Sequence, residues 1–484
     1  MNEELAALLE ALETDRGADA ALQLTRVATE YFAASGAAAR PVTTRRSAEA
    51  LVVGVVRPTA RGRPVSEVAD ALRSLVADSI WLNHPRYMGH QVSAPLPVAV
   101  WAEPLIAALN QSLAIHEMSP AANAVEHVLI HWLREQLGFG DTAGGTFTSG
   151  GTEANLTALL AARARALPDA WRDGIDPARV PVLVCGEHVH YAITRAAGQL
   201  GLGTRSVRTV PADTRFRMDV AALARTLEAL ASAGTTVLAV VATAGSTPTG
   251  SYDDLDAIAE LCARHDHWLH VDGAHGMSAA LSARRRALVA GVDRARTVAW
   301  DPHKTLLLPL SAGVLLARDE RDLEAAFSQD APYIFHASEG RRWDQGPRSF
   351  LCSRRADAVK LWAALLRHGT ASPGLLFDHL CDLTLALHER IAAHPRFEAL
   401  HRPDCNILCF RYRPAAATGE RALNELNQRL REEYNDAGTG WITTTVLSGL
   451  RVLRVTMMNP RTSVADLDAM LQELAERGAT LAAG

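Results

Sequence analysis

The sequence predicts an α/β fold with a mainly parallel central sheet and flanking helices. Between about residues 145 and 315, short apolar runs rich in β-branched residues alternate with helical segments. The runs lack polar alternation, which is typical of strands buried on both faces of a parallel sheet. They are PVLVC (181–185), TTVLAVVAT (235–243), HWLHVD (267–272) and AGVLLA (312–317). Their alternation with helices indicates a layered α/β domain.

The segments on either side of this region have different patterns. Apolar residues at a spacing of three and four run from Leu5 to Leu12 and predict N-terminal helices. After the helix ADAVKLWAALLRHG, the strands NILCFRYRP and GLRVLRVTMMN and the helix SVADLDAMLQELAERG predict a small α+β domain. We therefore expect an N-terminal helical segment (1–83), a large α/β domain (84–355) and a small C-terminal domain (356–484).

Composition excludes several classes of protein. The chain has 484 residues, 48% hydrophobic and 21% charged, with a net charge of −5. No basic stripe interleaved with aromatic residues supports a nucleic-acid or membrane partner. The N-terminus lacks the pattern of a signal peptide, and no apolar run reaches the roughly 18 residues of a membrane span, so we expect a cytoplasmic protein. The six cysteines form no CxxC pair and are expected to be reduced.

The motif AWDPHK (299–304) contains one of only two lysines among the 49 lysine and arginine residues, the other being Lys360. An arginine side chain stays protonated, whereas a desolvated lysine can lose its proton and attack a carbonyl. A Schiff base therefore requires a lysine such as Lys304. The alternative is that both lysines merely survive a bias toward arginine codons.

The motif TSGGTEAN (148–155) is a glycine turn that opens a helix. Free N–H groups and the helix dipole make such a start an anion site, typically for phosphate. The alternative is an ordinary helix cap in which Thr152 bonds back to the helix. The motif lacks the GKS/T of a Walker loop and the GxGxxG spacing, which disfavours nucleotide-binding interpretations.

Two further motifs follow predicted strands. HVDGAHG (270–276) places Asp272 at a strand end, and EHVHYAITRAAGQLG (187–201) places His190 after another strand. Taken singly, these are more often a turn aspartate and a capping histidine. A phosphate cradle, a carboxylate, a stacking histidine and an isolated lysine together fit pyridoxal phosphate, because a carboxylate can keep its ring nitrogen protonated.

These motifs resemble the group II pyridoxal-phosphate-dependent amino-acid decarboxylases of the fold-type-I superfamily. The resemblance runs from HPRYMGHQ (84–91) to LRVTMMNP (453–460). It includes NQSLAIHEMSPAA (110–122), AGSTPTGSYDDL (244–255) and RRADAVKLW (354–362). It implies the fold-type-I architecture, pyridoxal 5′-phosphate as cofactor and no metal.

The resemblance also implies roles around the cofactor ring. Lys304 is expected to hold the cofactor as a Schiff base, and Asp272 to pair with the ring nitrogen. His190 is expected to stack on one face of the ring and Ala274 to pack on the other. Thr247 is expected to line the site near Asp272. The catalytic residues are therefore predicted to be Lys304, His190 and Asp272.

Further contacts are implied at the phosphate and the substrate. The expected phosphate contacts are Gly151, Thr152, Thr297 and His303. The expected substrate contacts are Gln91, Ser112, Ala114, His116 and Arg355. Because members of this family are obligate dimers with shared sites, we expect a homodimer in which residues 110–118 reach the partner's site and the N-terminal helices embrace the partner.

The predicted reaction is decarboxylation of a small polar or charged L-amino acid to its amine and CO₂. In the family that this chain resembles, members that act on aromatic amino acids have bulky apolar residues at the positions of Ser112 and Ala114. It also implies a loop tyrosine that supplies a proton, but residues 336–353 contain none. His336 and His190 are candidate proton donors.

Several alternatives stay open at the level of sequence. Loss of the loop tyrosine leaves room for decarboxylation-coupled oxidative deamination, and an aminotransferase, a carbon–carbon lyase and a catalytically silent binding protein share the fold. A zinc site could use His265, His267 and His270, or His188 with His190. The absence of a HExxH helix disfavours zinc.

Overall fold

The computed structural model describes residues 3–36, 40–43, 46–60, 62–327, 341–415 and 419–483. Its helices are α1 (Glu3–Asp15), α2 (Ala18–Ala34), α3 (Ala48–Gly54), α4 (Val65–Ala77), α5 (Pro97–Leu109), α6 (Pro120–Gln136), α7 (Gly151–Ala166), α8 (Ala170–Asp173), α9 (Tyr191–Gln199), α10 (Val220–Ser232), α11 (Leu255–Arg264), α12 (Arg321–Ala326), α13 (Ala358–His368), α14 (Ser372–Ala393), α15 (Glu420–Ala437) and α16 (Val464–Ala483). Its strands are β1 (Gly144–Thr148), β2 (Val182–Gly186), β3 (Val207–Val210), β4 (Val237–Thr243), β5 (Leu269–Asp272), β6 (Thr297–Trp300), β7 (Gly313–Ala317), β8 (Phe397–Ala399), β9 (Ile407–Tyr412), β10 (Thr443–Leu447) and β11 (Leu450–Thr456).

The chain divides into two compact units. One contains Met1–Gly89, Tyr412–Leu453 and Arg461–Gly484, and the other contains His90–Arg411 and Arg454–Pro460. Among the described residues, no helix combines the length and the apolar character that crossing a membrane requires.

The first unit contains the N-terminal helices. Helix α1 packs on α2, α2 packs on α4, and α15 packs on α16. The rings of Tyr31 and Trp81 lie 4.7 Å apart, and the guanidinium of Arg40 lies 4.0 Å from the centroid of Trp81. The predicted boundaries after residues 83 and 355 stay predictions.

The second unit contains a seven-stranded sheet of order β1-β7-β6-β5-β4-β2-β3. Strands β3, β2, β4, β5 and β6 pair in parallel, which confirms the mainly parallel sheet. Strand β7, predicted from AGVLLA as one of the parallel strands, instead pairs antiparallel with β1 and β6. The connection from β6 to β7, residues 301–312, is fully described and contains no crossover helix, which a parallel pairing would need.

The central strands are buried on both faces, as their continuous apolar runs predict. Val184 and Val240 belong to the core on one face of the sheet. Their neighbours Leu183 and Val241 belong to the core on the opposite face. All four side chains are fully buried. Side chains alternate between the faces of a strand, so both faces need apolar residues and no polar alternation remains.

The register brings several loops to one edge of the sheet. Asp272 at the end of β5 pairs with Thr243 of β4 and Ala299 of β6. Strand β1 ends at this edge as well, because Thr148 pairs with Gly313 at the start of β7. The turns after β1, β4, β5 and β6 therefore meet, as is usual for ligand sites of open α/β sheets.

Candidate active site

A cavity of about 410 Å³ lies at this edge of the sheet. The residues that line it are Gln91, Ser149, Gly150, Gly151, Thr152, Asn155, His190, Thr243, Gly245, Thr247, Asp272, Ala274, His275, Asp301, His303 and Lys304. Nine of these were predicted from sequence as cofactor or substrate contacts: Gln91, Gly151, Thr152, His190, Thr247, Asp272, Ala274, His303 and Lys304. The structure therefore brings together side chains that lie more than 200 positions apart in the chain.

The start of α7 forms one wall of the cavity. A side chain on Gly151 would place its Cβ 2.8 Å from Cβ of Ala274 and 2.9 Å from Oδ2 of Asp301. Glu153 folds back, and its Oε2 accepts hydrogen bonds from N and Oγ of Ser149 at 2.8 and 2.6 Å. The first N–H groups of a helix lack intrahelical acceptors. This wall therefore packs closely against Ala274 and Asp301 and carries backbone donors suited to an anion.

Asp272 is buried and is held by a hydrogen-bond network. Its Oδ2 accepts from Nδ2 of Asn155 at 3.1 Å. Oδ1 of Asn155 lies 2.7 Å from Nε2 of His270, and Nδ1 of His270 lies 3.0 Å from Oγ1 of Thr297. Nε1 of Trp268 donates to the same hydroxyl at 3.0 Å. A carboxylate at the cavity is thus oriented by four residues beneath it.

The donors in this network fix the tautomer of His270. Nδ2 of Asn155 donates to a carboxylate, so its Oδ1 faces His270 and must accept from Nε2–H. Nδ1 of His270 is then the acceptor for the hydroxyl of Thr297. Burial lowers the pKa of His270 to about 4, which keeps the ring neutral. With both ring nitrogens bonded, His270 has no free position for the zinc alternative.

Lys304 follows β6 and lies beside Asp301. Its Nζ is 3.0 Å from Oδ2 of Asp301, and Nε2 of His303 is 3.5 Å from the same oxygen. The N–H of Ala312 donates to Nδ1 of His303 at 3.1 Å, so Nε2 carries the proton in the neutral ring. Burial lowers the pKa of His303. The ammonium of Lys304 is therefore the cation that pairs with Asp301.

His190 caps the N-terminus of α9. Its Nδ1 accepts from the N–H of Ala192 at 3.3 Å. Burial lowers the pKa of His190, against the opposing effect of Asp272. The capping alternative is thus correct for the ring's Nδ1, yet the same side chain lines the cavity. Stacking of His190 on a cofactor ring stays a prediction.

Thr297 does not line the cavity. Its hydroxyl is fully buried in the network below Asp272, bonded to Trp268 and His270. The resemblance implied a phosphate contact for Thr297, and its position in this structure does not support one. A hydroxyl at the start of β6 lies at the opposite end of the strand from Lys304, which explains the difference.

The other predicted substrate contacts also lie away from this chain's cavity. Oγ of Ser112 accepts from the N–H of Ala114, and the N–H of His116 donates to Asp344 at 2.8 Å. Arg355 pairs with Glu103. A role for Ser112, Ala114 and His116 in a partner's site stays a prediction, as does a substrate contact for Arg355. His336 lies outside the described residues.

Seven of the sixteen lining residues were missed by sequence reasoning. Among them, Asn155, His275 and Asp301 each stand inside a motif quoted for another residue. His270 could have signalled the network, because it lies two positions before Asp272 on the same face of β5. Among the described residues, no group of three or more His, Cys, Asp or Glu side chains could hold a metal ion.

The chain belongs to the pyridoxal-dependent decarboxylase family, whose model, the pyridoxal-dependent decarboxylase conserved domain, matches residues 61–413. It is similar to cysteine sulfinic acid decarboxylase of Rattus norvegicus, with 33% identity over 433 residues that cover 87% of each chain. L-2,4-diaminobutyrate decarboxylase of Acinetobacter baumannii is 31% identical over 437 residues, covering 87% of this chain and 85% of the relative. The crystal structure of mouse CSAD in apo form has a TM-score of 0.89 at 30% identity and covers 95% of this chain and 98% of its own.

These findings confirm the predicted family, the fold type and the enzyme class. The chain is a pyridoxal-phosphate-dependent amino-acid decarboxylase, a carboxy-lyase. The residues present fit the cofactor. The backbone N–H groups at the start of α7 offer donors to phosphate oxygens, and Lys304 offers an amine to the aldehyde. The buried carboxylate of Asp272, 5% exposed, suits a positive partner such as a protonated ring nitrogen.

Proposed function

We propose that this decarboxylase acts on a small polar or charged L-amino acid and releases its amine and CO₂. The observation that carries the proposal is the composition of the cavity wall. Among the described residues, the wall contains no Phe, Tyr, Trp, Leu, Ile or Val side chain. An aromatic substrate would find little apolar surface there, whereas a polar side chain would find hydrogen-bond partners. The relatives named above act on cysteine sulfinate and L-2,4-diaminobutyrate.

Each cavity residue has a proposed role. Lys304 holds the cofactor, and Asp272 pairs with its ring nitrogen. His190 contacts one face of the ring, while Ala274 packs on the other. Thr247 lines the ring near Asp272. When bound, the cofactor supplies an electron sink for the pair released as CO₂ leaves.

The remaining contacts concern the phosphate and the substrate. Gly151 and Thr152 at the start of α7 and Nε2–H of His303 hold the phosphate. Gln91 contacts the substrate carboxylate. Its buried Nε2 has no hydrogen-bond partner among the described residues, which leaves a donor for that role. Thr297 is left out of this assignment.

We also propose a homodimer. The apolar face of α1 carries Leu5, Leu8, Leu9 and Leu12, each between 45% and 55% exposed. Contiguous exposed apolar surface marks an interaction site. Light scattering should give twice the mass of one chain, and Leu8→Glu should shift the protein toward the monomer. A wild-type monomer would contradict the proposal. A cytoplasmic location stays a prediction from the sequence.

The substrate proposal is tested with purified protein, pyridoxal phosphate and a panel of L-amino acids. The panel contains aspartate, glutamate, cysteine sulfinate, 2,4-diaminobutyrate, tryptophan and tyrosine. We expect kcat/KM for at least one polar substrate to exceed that for the aromatic pair by about 100-fold. A preference for tryptophan or tyrosine would overturn the substrate class.

Product analysis distinguishes the reaction alternatives. Amine and CO₂ in equal amounts support decarboxylation. Aldehyde with ammonia and peroxide would replace it with oxidative deamination, and a keto acid would indicate transamination. The matched control is Lys304→Ala, which should lose both activity and the visible absorbance of lysine-bound cofactor.

A further inference from the structure

The ion pair between Asp301 and Lys304 has a consequence for the reaction itself. Asp301 is 1% exposed, and its Oδ2 lies 3.0 Å from Nζ of Lys304. Among the described residues, Oδ1 of Asp301 has no hydrogen-bond partner. A buried carboxylate that loses its cation is strongly disfavoured. Asp301 therefore holds the amine of Lys304 in a buried ion pair whenever that amine is not bonded to the cofactor.

The other charged or titratable groups near this pair do not replace Lys304. His303 is the nearest imidazole, and its lowered pKa keeps it neutral. His275, on the same cavity wall, has a pKa lowered to about 3 and is neutral as well. Asp272 is bonded to Asn155. The ammonium of Lys304 is thus the proton-bearing cation held in this part of the cavity.

We propose that Lys304, held as an ammonium by Asp301, gives the proton to the substrate carbon that has lost CO₂. Asp301 is then a positioning residue that acts through Lys304. The inference rests on the decarboxylation proposed above. It also answers the question raised by the loop, because residues 341–353, the part that the structure describes, contain no tyrosine to serve as the acid.

The protons and electrons balance. When substrate displaces Lys304 from its protonated Schiff base, two of the three protons of the substrate ammonium end on Nζ of Lys304, which already carries one, and Lys304 becomes an ammonium. The bond from the reacting carbon to the carboxylate breaks, and CO₂ leaves its electron pair behind. That pair forms a C–H bond with the proton from Nζ, and the N–H electrons stay on the nitrogen. Lys304 is then a neutral amine, ready to displace the product amine from the cofactor. No external acid is required.

The two-lysine composition provides a direct test. In protein labelled with ¹³C at lysine Cε, the only signals come from Lys304 and Lys360, and Lys304→Ala assigns them. The position of the Cε signal reports the charge of the amine. In cofactor-free protein near neutral pH, we expect the Lys304 signal at the ammonium position. In Asp301→Asn the Lys304 signal should shift, because its ion-pair partner is gone.

The same variant tests the proton transfer. In Asp301→Asn we expect kcat for amine formation to fall about 100-fold, the usual contribution of a positioned acid. KM should stay within about threefold, because the proton moves after substrate binds. An unchanged Lys304 signal overturns the ion-pair argument. A shifted signal with unchanged kcat overturns Lys304 as donor and favours His190.

Two controls keep these outcomes interpretable. Asp378→Asn removes another buried carboxylate, which pairs with Arg285 at 2.6 Å, and should change neither the Lys304 signal nor kcat by more than about threefold. The signal of Lys360, fully buried and 2.8 Å from Asp357, reports correct folding.

If Asp301→Asn does not fold, the wild-type protein still decides. With the reduced conjugate of pyridoxal phosphate and aspartate bound, Lys304 is free of the cofactor, and its Cε signal should lie at the ammonium position. A neutral amine there overturns the inference. Failure of the proposed function itself would be recognised separately, as an absence of CO₂ from every amino acid while the lysine signals behave as expected.

Discussion

Replacing Asn155 with leucine tests the network that orients the Asp272 carboxylate. Asn155→Leu keeps the size of the side chain and removes the amide that joins His270 to Asp272. Both neighbours are buried, with His270 0% and Asp272 5% exposed. Neither side chain can form a replacement hydrogen bond with water, so the folded chain should lose the full stabilisation that these hydrogen bonds contribute.

The magnitude follows from the bonds that are lost. The bond from Nδ2 of Asn155 to the carboxylate, at 3.1 Å, contributes about 1.5–3 kcal/mol as a charge-assisted bond. Nε2–H of His270 is left without an acceptor, which costs about 1–3 kcal/mol. We therefore expect the free energy of unfolding to fall by about 4 kcal/mol. For a unit of this size, that lowers the thermal midpoint by about 8 °C.

The assay is thermal unfolding of the cofactor-free protein, since bound cofactor would raise the midpoint by itself. Cofactor affinity is measured separately by the visible absorbance of lysine-bound pyridoxal phosphate, and we expect Asn155→Leu to weaken it about tenfold. A midpoint within about 2 °C of wild type would refute the reasoning.

The matched control is Thr297→Val, at the far end of the same network. It leaves Nε1–H of Trp268 and Nδ1 of His270 without their partner, so the midpoint should fall. Cofactor affinity should stay within about threefold, because the hydroxyl is three hydrogen bonds from Asp272. A loss above about tenfold would restore Thr297 as a phosphate contact.

Three further predictions concern the cradle, a buried ion pair and acid. Gly151→Ala should weaken pyridoxal phosphate binding about 100-fold in an absorbance titration, because the new Cβ meets neighbours at 2.8 and 2.9 Å; unchanged affinity would contradict the cradle. Glu126→Gln breaks a buried pair with Arg354, at 2.9 and 2.8 Å, and should cost about 3–5 kcal/mol in thermal or urea unfolding, whereas a cost below about 1 kcal/mol would show that the pair contributes little. Burial lowers the pKa of His270 to about 4 and of His275 to about 3, so both must gain protons when the chain unfolds in acid. Their contribution to stability is fully present above about pH 6.5 and is lost as the pH falls toward 4 and below. His275→Phe should therefore reduce the slope of the unfolding free energy against pH by about 1.4 kcal/mol per pH unit. A slope unchanged by that variant would show that His275 is not neutral in the fold.

Much of the fold could be predicted from the sequence, because strands buried on both faces of the sheet have continuous apolar sequences. Strands β4 and β5 had to be continuous apolar runs, and they were predicted as such. The direction of β7 was not, because its run has the same composition whether the strand lies parallel or antiparallel. The direction of β7 is visible only in the structure, where Gly313 pairs with Thr148 of β1.

The candidate site divides along a similar line. Lys304, Asp272 and the glycine turn at Gly151 were predicted because their chemistry depends on residue type and on a position next to a strand end. Thr297 shares that local context, yet its hydroxyl lies at the wrong end of β6 and serves the network below the cavity. The sequence does not show which end of a strand lies at the cavity, so only the assembled sheet separates Thr297 from the site.

By itself, the sequence determined the family and the cofactor and predicted the lysine that would hold it, because a scarce lysine beside a histidine and a proline is a local chemical pattern. The tertiary structure decided which groups act on that lysine. Asp301 pairs with Lys304, and Asn155 orients Asp272 across 117 positions of the chain. Hydrogen bonds and ion pairs reach only about 3 Å. The contact between Asn155 and Asp272 therefore exists only because the folded sheet brings distant turns to one edge, whereas Asp301 and Lys304 meet within one turn, whose conformation the sequence did not reveal.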